Sequence, residues 1–326
     1  MHSPWRTETL CLPVVALVLS QSPPKLTEFN RPVLFNTPEA DRILEALQVF
    51  PADSPWNTDI SKLPVHPNSR NIIASIGGDK PLRYNADMGF VLVPGGQPKV
   101  EVKMRGGNAD ESDPGPFPVP DNMPIEGWPV AYKGKTLAEV QAMEEPNADR
   151  HALVVDPVNG MLYEFYHAVK TDAGWSAAQA SVFDLKSNKL RPKDWTSADA
   201  AGLPIFPAVV RYDELKRGSV RHAMRVTVAR TRRAYVYPAR HYASRSNDPS
   251  LPRMGERLRL REDYDLSGFS PQVQAILKGL KKYGMFVADN GIDWAISVAP
   301  DERINNLHEE LRRVKGSAFQ VVVSPK

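Results

Sequence analysis

Alternation of apolar and polar positions dominates the middle of the chain. The runs HALVVD, MLYEFYHAV, QASVFDL, AVVRYDEL, VRHAMRVTV, AYVYPARHY and ERLRLRED follow one another from His151 to Asp263, separated by turn signals at the spacing of a sandwich or barrel. GFVLVP and KVEVKM precede them; MFVADNG, WAISVA and FQVVV follow. Elsewhere the period becomes helical. NTPEADRILEALQVF offers Thr37 as cap, Pro38 in the first turn and a stripe of Ile43, Leu44, Leu47 and Val49. HPNSRNIIASIGG reads as two turns closed by Gly77-Gly78, and KTLAEVQAMEE as a short helix. SPQVQAILKGLKKYG lines up Val273, Ile276, Leu277 and Leu280 between a Ser270 cap and a Gly284 stop, and ERINNLHEELRRVKG is a last amphipathic helix. The pattern predicts a mainly β fold with a β-sandwich or jelly-roll-like core and several short peripheral helices. Without an internal repeat or linker, residues 51–326 read as one domain, after a Pro-rich lead and helix over 21–50.

The hairpin DRHALVVDPVNGMLYEFYHAV places His151 and Glu164 where Val or Leu is the ordinary choice. A two-residue Asn159-Gly160 loop sets Val155 opposite Glu164, and a four-residue loop over Pro157–Gly160 sets Leu153 there. Both registers keep His151, Leu153, Val155, Leu162, Glu164 and Tyr166 on one face, because side chains alternate with period two. In VRHAMRVTV the same rule puts Val220, His222, Met224, Val226 and Val228 on the apolar face, and Arg221, Arg225 and Thr227 on the other. Two strands thus carry an imidazole on an apolar face. A core histidine bonded to a main-chain carbonyl is the structural explanation, and a shared functional wall the other.

Composition adds three points. The chain has 326 residues and 30 prolines, which gather in loops such as DPGPFPVPDNMP; the stretch Gly106–Pro129 is too long for a plain connection, hence functional or pinned across the surface. At the N-terminus, Arg6 and the apolar run Leu10–Leu19 fit a secretory signal over residues 1–20 and are too short to span a bilayer. A secreted or periplasmic location and no membrane span are expected. Cys11 is the sole cysteine, so a processed chain has no thiol for disulfides, zinc-thiolate sites or a cysteine nucleophile.

Net charge is +3, but Arg211–Arg261 holds 13 arginines and one lysine against Asp213, Glu214, Asp248 and Glu256. Such a stretch is either a solvated strand face or a surface for an anionic polymer, and it lacks any nucleic-acid module. No G-x-S-x-G elbow, H-E-x-x-H, Walker A or Rossmann fingerprint occurs in the right context.

The remaining chemistry favours glycans. Hydrolysis needs an acid and a second carboxylate at controlled separation, and Glu164, Glu214, Asp199 and Asp289 are the candidates. Elimination from a uronate needs a base and a cation, for which His222, His241, Tyr242 and the arginines, Arg221 and Arg225 among them, are suited. Asn290 ends a strand beside Asp289, and Tyr166, Tyr242, Trp175, Trp195 and Trp294 are aromatics for sugar stacking or for the core. No cofactor is required; the alternative is a divalent metal held by His151, Glu164 and His222.

The runs WTSADAAGLPIFPAVVRYDE, HAMR, YPARHYAS, LPRMGERLRL and YGMFVADNG, with SPWNTDISKLPVHPNS and ADESDPGPFPVPDN upstream, resemble a family of uncharacterised secreted microbial proteins. The likeness covers most of the chain after residue 50. It implies a secreted single domain and brings no activity or site residue with it. The expectation is therefore a secreted, monomeric, carbohydrate-active protein that cleaves an extracellular polysaccharide, neutral or acidic, by hydrolysis or elimination. The alternative is a non-catalytic carbohydrate-binding or cell-envelope module.

Overall fold

The computed structural model describes Leu26 and residues 28–323; the expected signal over 1–20 and Cys11 lie outside them. In chain order the elements are β1 (Val33–Leu34), α1 (Pro38–Ala46), α2 (Ser69–Ile76), β2 (Arg83–Ala86), β3 (Phe90–Leu92), β4 (Val102–Met104), α3 (Leu137–Ala142), β5 (Ala152–Asp156), β6 (Met161–Tyr166), β7 (Val169–Thr171), β8 (Gly174–Ala177), β9 (Gln179–Asp184), α4 (Tyr212–Arg217), β10 (Met224–Val228), β11 (Arg257–Leu260), α5 (Pro271–Lys282), β12 (Met285–Asn290), β13 (Ala295–Val298), α6 (His308–Leu311) and β14 (Phe319–Val322). They form three mixed sheets, ordered β1-β3-β5-β6-β9, β14-β11-β12-β10-β13-β2 and β4-β8-β7. The fold is mainly β and sandwich-like, with short helices around it and no closed barrel.

The five-stranded sheet is the middle layer. Leu153, Val155 and Leu162 on one face join the core shared with Val226, Leu258 and Met285 of the six-stranded sheet. Ala152, Val154, Tyr163 and Phe165 on the other face pack against Trp175 and Ala177 of the third sheet and against Phe117, Val119 and Ile125. Both faces are therefore dry, which explains the unbroken apolar run of β5, paired in parallel with β3. In the hairpin Leu153, Val155, Leu162 and Glu164 share one face, as the alternation predicts, and the opposite face is buried as well. The loop there is the four-residue one, since Asp156 pairs with Met161 and Leu153 with Glu164.

Local signals set most helix starts. Thr37 Oγ1 accepts the Ala40 N–H, and Thr136 and Glu139 form a capping box ahead of α3. Three expected elements differ. AVVRYDEL leaves a 3-10 turn over Phe206–Ala208, makes one isolated bridge from Val210 to Val298 and then enters α4, because Glu214 accepts the Arg211 N–H and Gly218 takes a left-handed C-cap. AYVYPARHY makes only an isolated bridge between Tyr235 and Met254. The final helix is confined to α6.

The basic stretch also turns inward. Arg225, Arg257 and Arg259 are buried, and the last two donate to loop carbonyls of Tyr283, Pro55, Ile60, Ser61 and Leu63. These guanidiniums staple the segment after residue 50 to β11 and are unavailable to a polymer. Among the described residues no helix is long and apolar enough to cross a membrane.

Candidate active site

The site forms where one end of the middle sheet meets the six-stranded sheet. His151, just before β5, is buried, and its ring bridges Glu126 and a main-chain carbonyl: Nδ1 lies 2.8 Å from Glu126 Oε2 and Nε2 2.8 Å from Ala198 O. A carbonyl only accepts, so Nε2 carries a proton, and the carboxylate beside Nδ1 holds the second. Burial lowers the imidazole's proton affinity, but the charge and hydrogen bond of Glu126 outweigh it and lift the group to about 10. His151 is an imidazolium cation.

Glu126 arrives on the long Gly106–Pro129 loop, which is pinned rather than free. Phe117, Val119, Met123 and Ile125 are buried, the Glu126 N–H donates to His151 O at 2.8 Å, and the Gly127 N–H donates to Asp87 O at 2.7 Å. Arg150, at φ 51°, and His167, at φ 54°, flank the pair His151 and Tyr166 with left-handed backbone that non-glycine residues seldom adopt. Arg150 is held there by its own side chain, which donates to Glu145 and to the Val140, Gln141 and Ala168 carbonyls.

Facing His151 is Arg225 on β10. Its Nε and Nη2 make a bidentate pair with Asp199 at 3.0 and 2.7 Å, and Nη1 donates to Ser297 Oγ on β13 at 2.6 Å. Asp199 sits in the tight TSADAAGLPI loop, whose Gly202 is at φ 69° with Trp195 O only 2.6 Å from where a Cβ would stand. That loop docks on β12 through Ala201 N–H to Ala288 O.

Ala288 is a bulge. β10 and β12 run in parallel with Val226 opposite Val287 and Thr227 opposite Asp289, so Ala288 is skipped. Paired residues share a face, and the extra residue transfers Asp289 from the face of Val287 to that of Arg225 and Thr227.

Two carboxyls complete the cluster. Asp87 follows β2, next to β13. Ser297 Oγ donates to its Oδ2 at 3.5 Å, and its Oδ1 is shielded from solvent with no partner. Burial and the charge of Glu126 push Asp87 up to about 7. Asp289 is pushed up to about 7 by burial and by Asp199, although its Oδ1 accepts the Asn290 N–H at 2.6 Å. Both residues are part-exposed although their carboxyls are largely desolvated, and Tyr166 is part-exposed too, its ring 5.6 Å from His151 and its hydroxyl 3.4 Å from Asp149. Two cations, His151 and Arg225, thus face four carboxyls, Asp87, Glu126, Asp199 and Asp289, at an edge open to water.

The structure brings together His151, Asp199, Arg225, Asp289 and Tyr166 of the residues singled out in the sequence. Glu164 stands behind them, fully buried: Ile205 N–H lies 2.9 Å from both of its oxygens and Phe206 N–H donates to Oε1 at 2.8 Å. Burial pushes it up to about 7 against those donors, and its geometry is that of an anchor for the 3-10 turn. Glu214, His222 and Arg221 lie in a separate cleft beside α4. His241 bonds through Nδ1 to Ala200 O at 2.8 Å and stacks on Tyr242, under Arg233. Trp195 lies under Arg191, and Asn290 Oδ1 accepts from Thr231. Trp294 and Trp175 are core residues.

The metal triad His151, Glu164 and His222 does not assemble. The metal-capable group found among the described residues is Glu126, Asp149 and His151, whose donor atoms lie within 4.8 Å of one another. A metal there would have to displace the proton of one ring nitrogen of His151 from its Glu126 or Ala198 partner.

Sequence reasoning missed Asp87, Glu126 and Ser297. The length of the Gly106–Pro129 loop was the signal for Glu126; Asp87 follows a strand too short and too exposed to stand out. No family model, curated protein or solved structure matches this chain.

Proposed function

We propose that the protein is a glycan-cleaving enzyme that hydrolyses a glycosidic bond between Asp87 and Asp289, held by the frame His151–Glu126 and Arg225–Asp199. The observation that carries this reading is the convergence of the carboxyls of two part-exposed residues, from the ends of different strands, about one buried guanidinium. Hydrolysis requires one carboxyl to keep a proton for the leaving oxygen while the other is ionised to activate water or attack the anomeric carbon. Asp87, with an oxygen that receives no hydrogen bond, is the acid; Asp289, whose oxygen receives the Asn290 N–H, is the carboxylate. Tyr166 offers an aromatic face at the rim.

Elimination is the weaker reading. It needs a cation free to neutralise a uronate, and both cations here are already ion-paired. The carboxyl excess also repels a polyanion, so the substrate is a neutral glycan, and an extracellular one if residues 1–20 direct export.

A panel of neutral and acidic polysaccharides tests this. New reducing ends without ultraviolet-absorbing products are expected, and Asp87→Asn and Asp289→Asn should each cut turnover about 10²-fold or more while folding normally. Unsaturated products would mean elimination, and binding without cleavage a carbohydrate-binding module. Undiminished turnover in both folded variants would make the cluster structural.

A further inference from the structure

A second polar cleft, of about 640 Å³, opens beside α4 and uses none of the groups above. Its volume is that of a small-molecule site. Glu45, Arg211, Asp213, Glu214, Arg217, Arg221 and His222 supply its charged wall, and Leu47, Val49 and Pro207 an apolar one.

The bonding in that wall is uneven. Glu214 is saturated: Arg211 Nη2 lies at 2.9 Å, His222 Nε2 at 3.0 Å, and the Arg211 N–H at 3.1 Å. Asp213 is not. It stands 3.6 Å from Arg211 Nε and 3.6 Å from Arg217 Nη1, outside hydrogen-bond reach of each, and its buried Oδ1 and the buried Arg211 Nε have no partner. Arg217 and Arg221 are exposed, and neither donates a hydrogen bond to any described residue. Three guanidiniums therefore line one cleft with a single tight carboxylate partner among them, and two have their forks free. A guanidinium fork matches the paired oxygens of a carboxylate or phosphate, which it binds bidentately.

We infer that this cleft is a binding site for a compact organic oxyanion, a carboxylate or phosphate on a sugar-sized body, gripped by Arg217 and Arg221. The anion takes guanidinium donors that Asp213 leaves unused, while the body lies along Leu47, Val49 and Pro207. Arg211 stays with Glu214 as the fixed floor. The site is independent of the proposed hydrolysis, because no residue is shared with the Asp87–Asp289 cluster.

Titration of the full chain with glucuronate, glucose 6-phosphate and glucose, followed by calorimetry and by NMR of the arginine side chains, tests this. Saturable binding is expected for at least one anion and not for glucose, and whichever anion binds identifies carboxylate or phosphate as the preferred head. The Arg217→Ala/Arg221→Ala double variant alters two exposed side chains and should fold normally, yet weaken that anion at least tenfold. Arg217→Lys/Arg221→Lys should keep part of the affinity, since charge remains without the fork. Absence of saturable binding by both anions, equal binding of glucose, or an unchanged double variant would each overturn the assignment.

Discussion

The inter-sheet cluster and the α4 cleft are built on the same unit and behave in opposite ways. In each, a buried histidine bridges a carboxylate and a main-chain carbonyl: His151 between Glu126 and Ala198 O, and His222 between Glu214 and Ala223 O. What differs is the company. Around His151 carboxyls outnumber cations, and burial with mutual repulsion lifts Asp87 and Asp289 to about 7. Around His222 three arginines balance three carboxyls, Glu45, Asp213 and Glu214; burial would raise Glu214, but Arg211 and His222 hold it down to about 2. The His151 pair thus stands among two raised acids, whereas beside the His222 pair Glu214 is held down and burial pushes its neighbour Asp213 up only to about 6. A histidine–carboxylate contact alone says nothing about function; the surrounding charge decides.

The largest effect that could break this contrast is on stability. Arg225→Met strands Asp199 as a buried, unpaired carboxylate and should cost about 3–5 kcal/mol in urea unfolding. Arg211→Met leaves Glu214 its His222 partner and an open cleft beside it, so it should cost less than half as much. Equal losses would erase the distinction.

Next in size is a difference of sign. At pH 8, Asp289→Asn removes a carboxyl that the fold holds above its ordinary value and should raise the melting temperature. Glu214→Gln removes one held below and should lower it. Two shifts in the same direction would contradict the proposed charge balance.

The pH profile of the unmodified protein sharpens the comparison further. Asp87, Asp289 and Glu164 bind protons more tightly folded than unfolded, so their contribution is complete below about pH 4 and fades as pH rises through 7. His151 adds stability that is intact below pH 6.5 and is lost as pH climbs towards 10. Glu214 does the reverse, contributing above pH 4.5 and failing as pH falls towards 2. Calorimetry from pH 3 to 10 should show a net decline on the alkaline side that shrinks in Asp289→Asn. The smallest effect expected is that of Tyr166→Ala, a rise in KM of about tenfold or less with kcat nearly kept, consistent with one stacking contact.

Much of the fold was legible from the chain. Helix starts at Thr37 and Thr136 follow from side-chain caps within four residues, and the hairpin around Asn159-Gly160 from a strong turn. AYVYPARHY and AVVRYDEL misled because strand-like composition there serves loop and turn packing. The site was half legible. Period-two logic put His151 on the face that meets Arg225, but it also favoured Glu164, whose oxygens are occupied by backbone donors 41 and 42 residues away. Asp87 and Glu126 join only through tertiary contacts that no local pattern encodes, and Arg225 looked like a surface charge because its partner lies 26 residues upstream.

The skipped Ala288 gives the crevice an unusual genetic fragility. Ala288 is the residue outside the ladder, and its carbonyl accepts the Ala201 N–H of the loop that carries Asp199. Removing that single codon would leave the aspartate opposite Thr227 in a regular ladder but take away the anchor of the Asp199 loop, whereas Ala288→Ser would keep both. Length, here, is as much a part of the chemistry as any side chain.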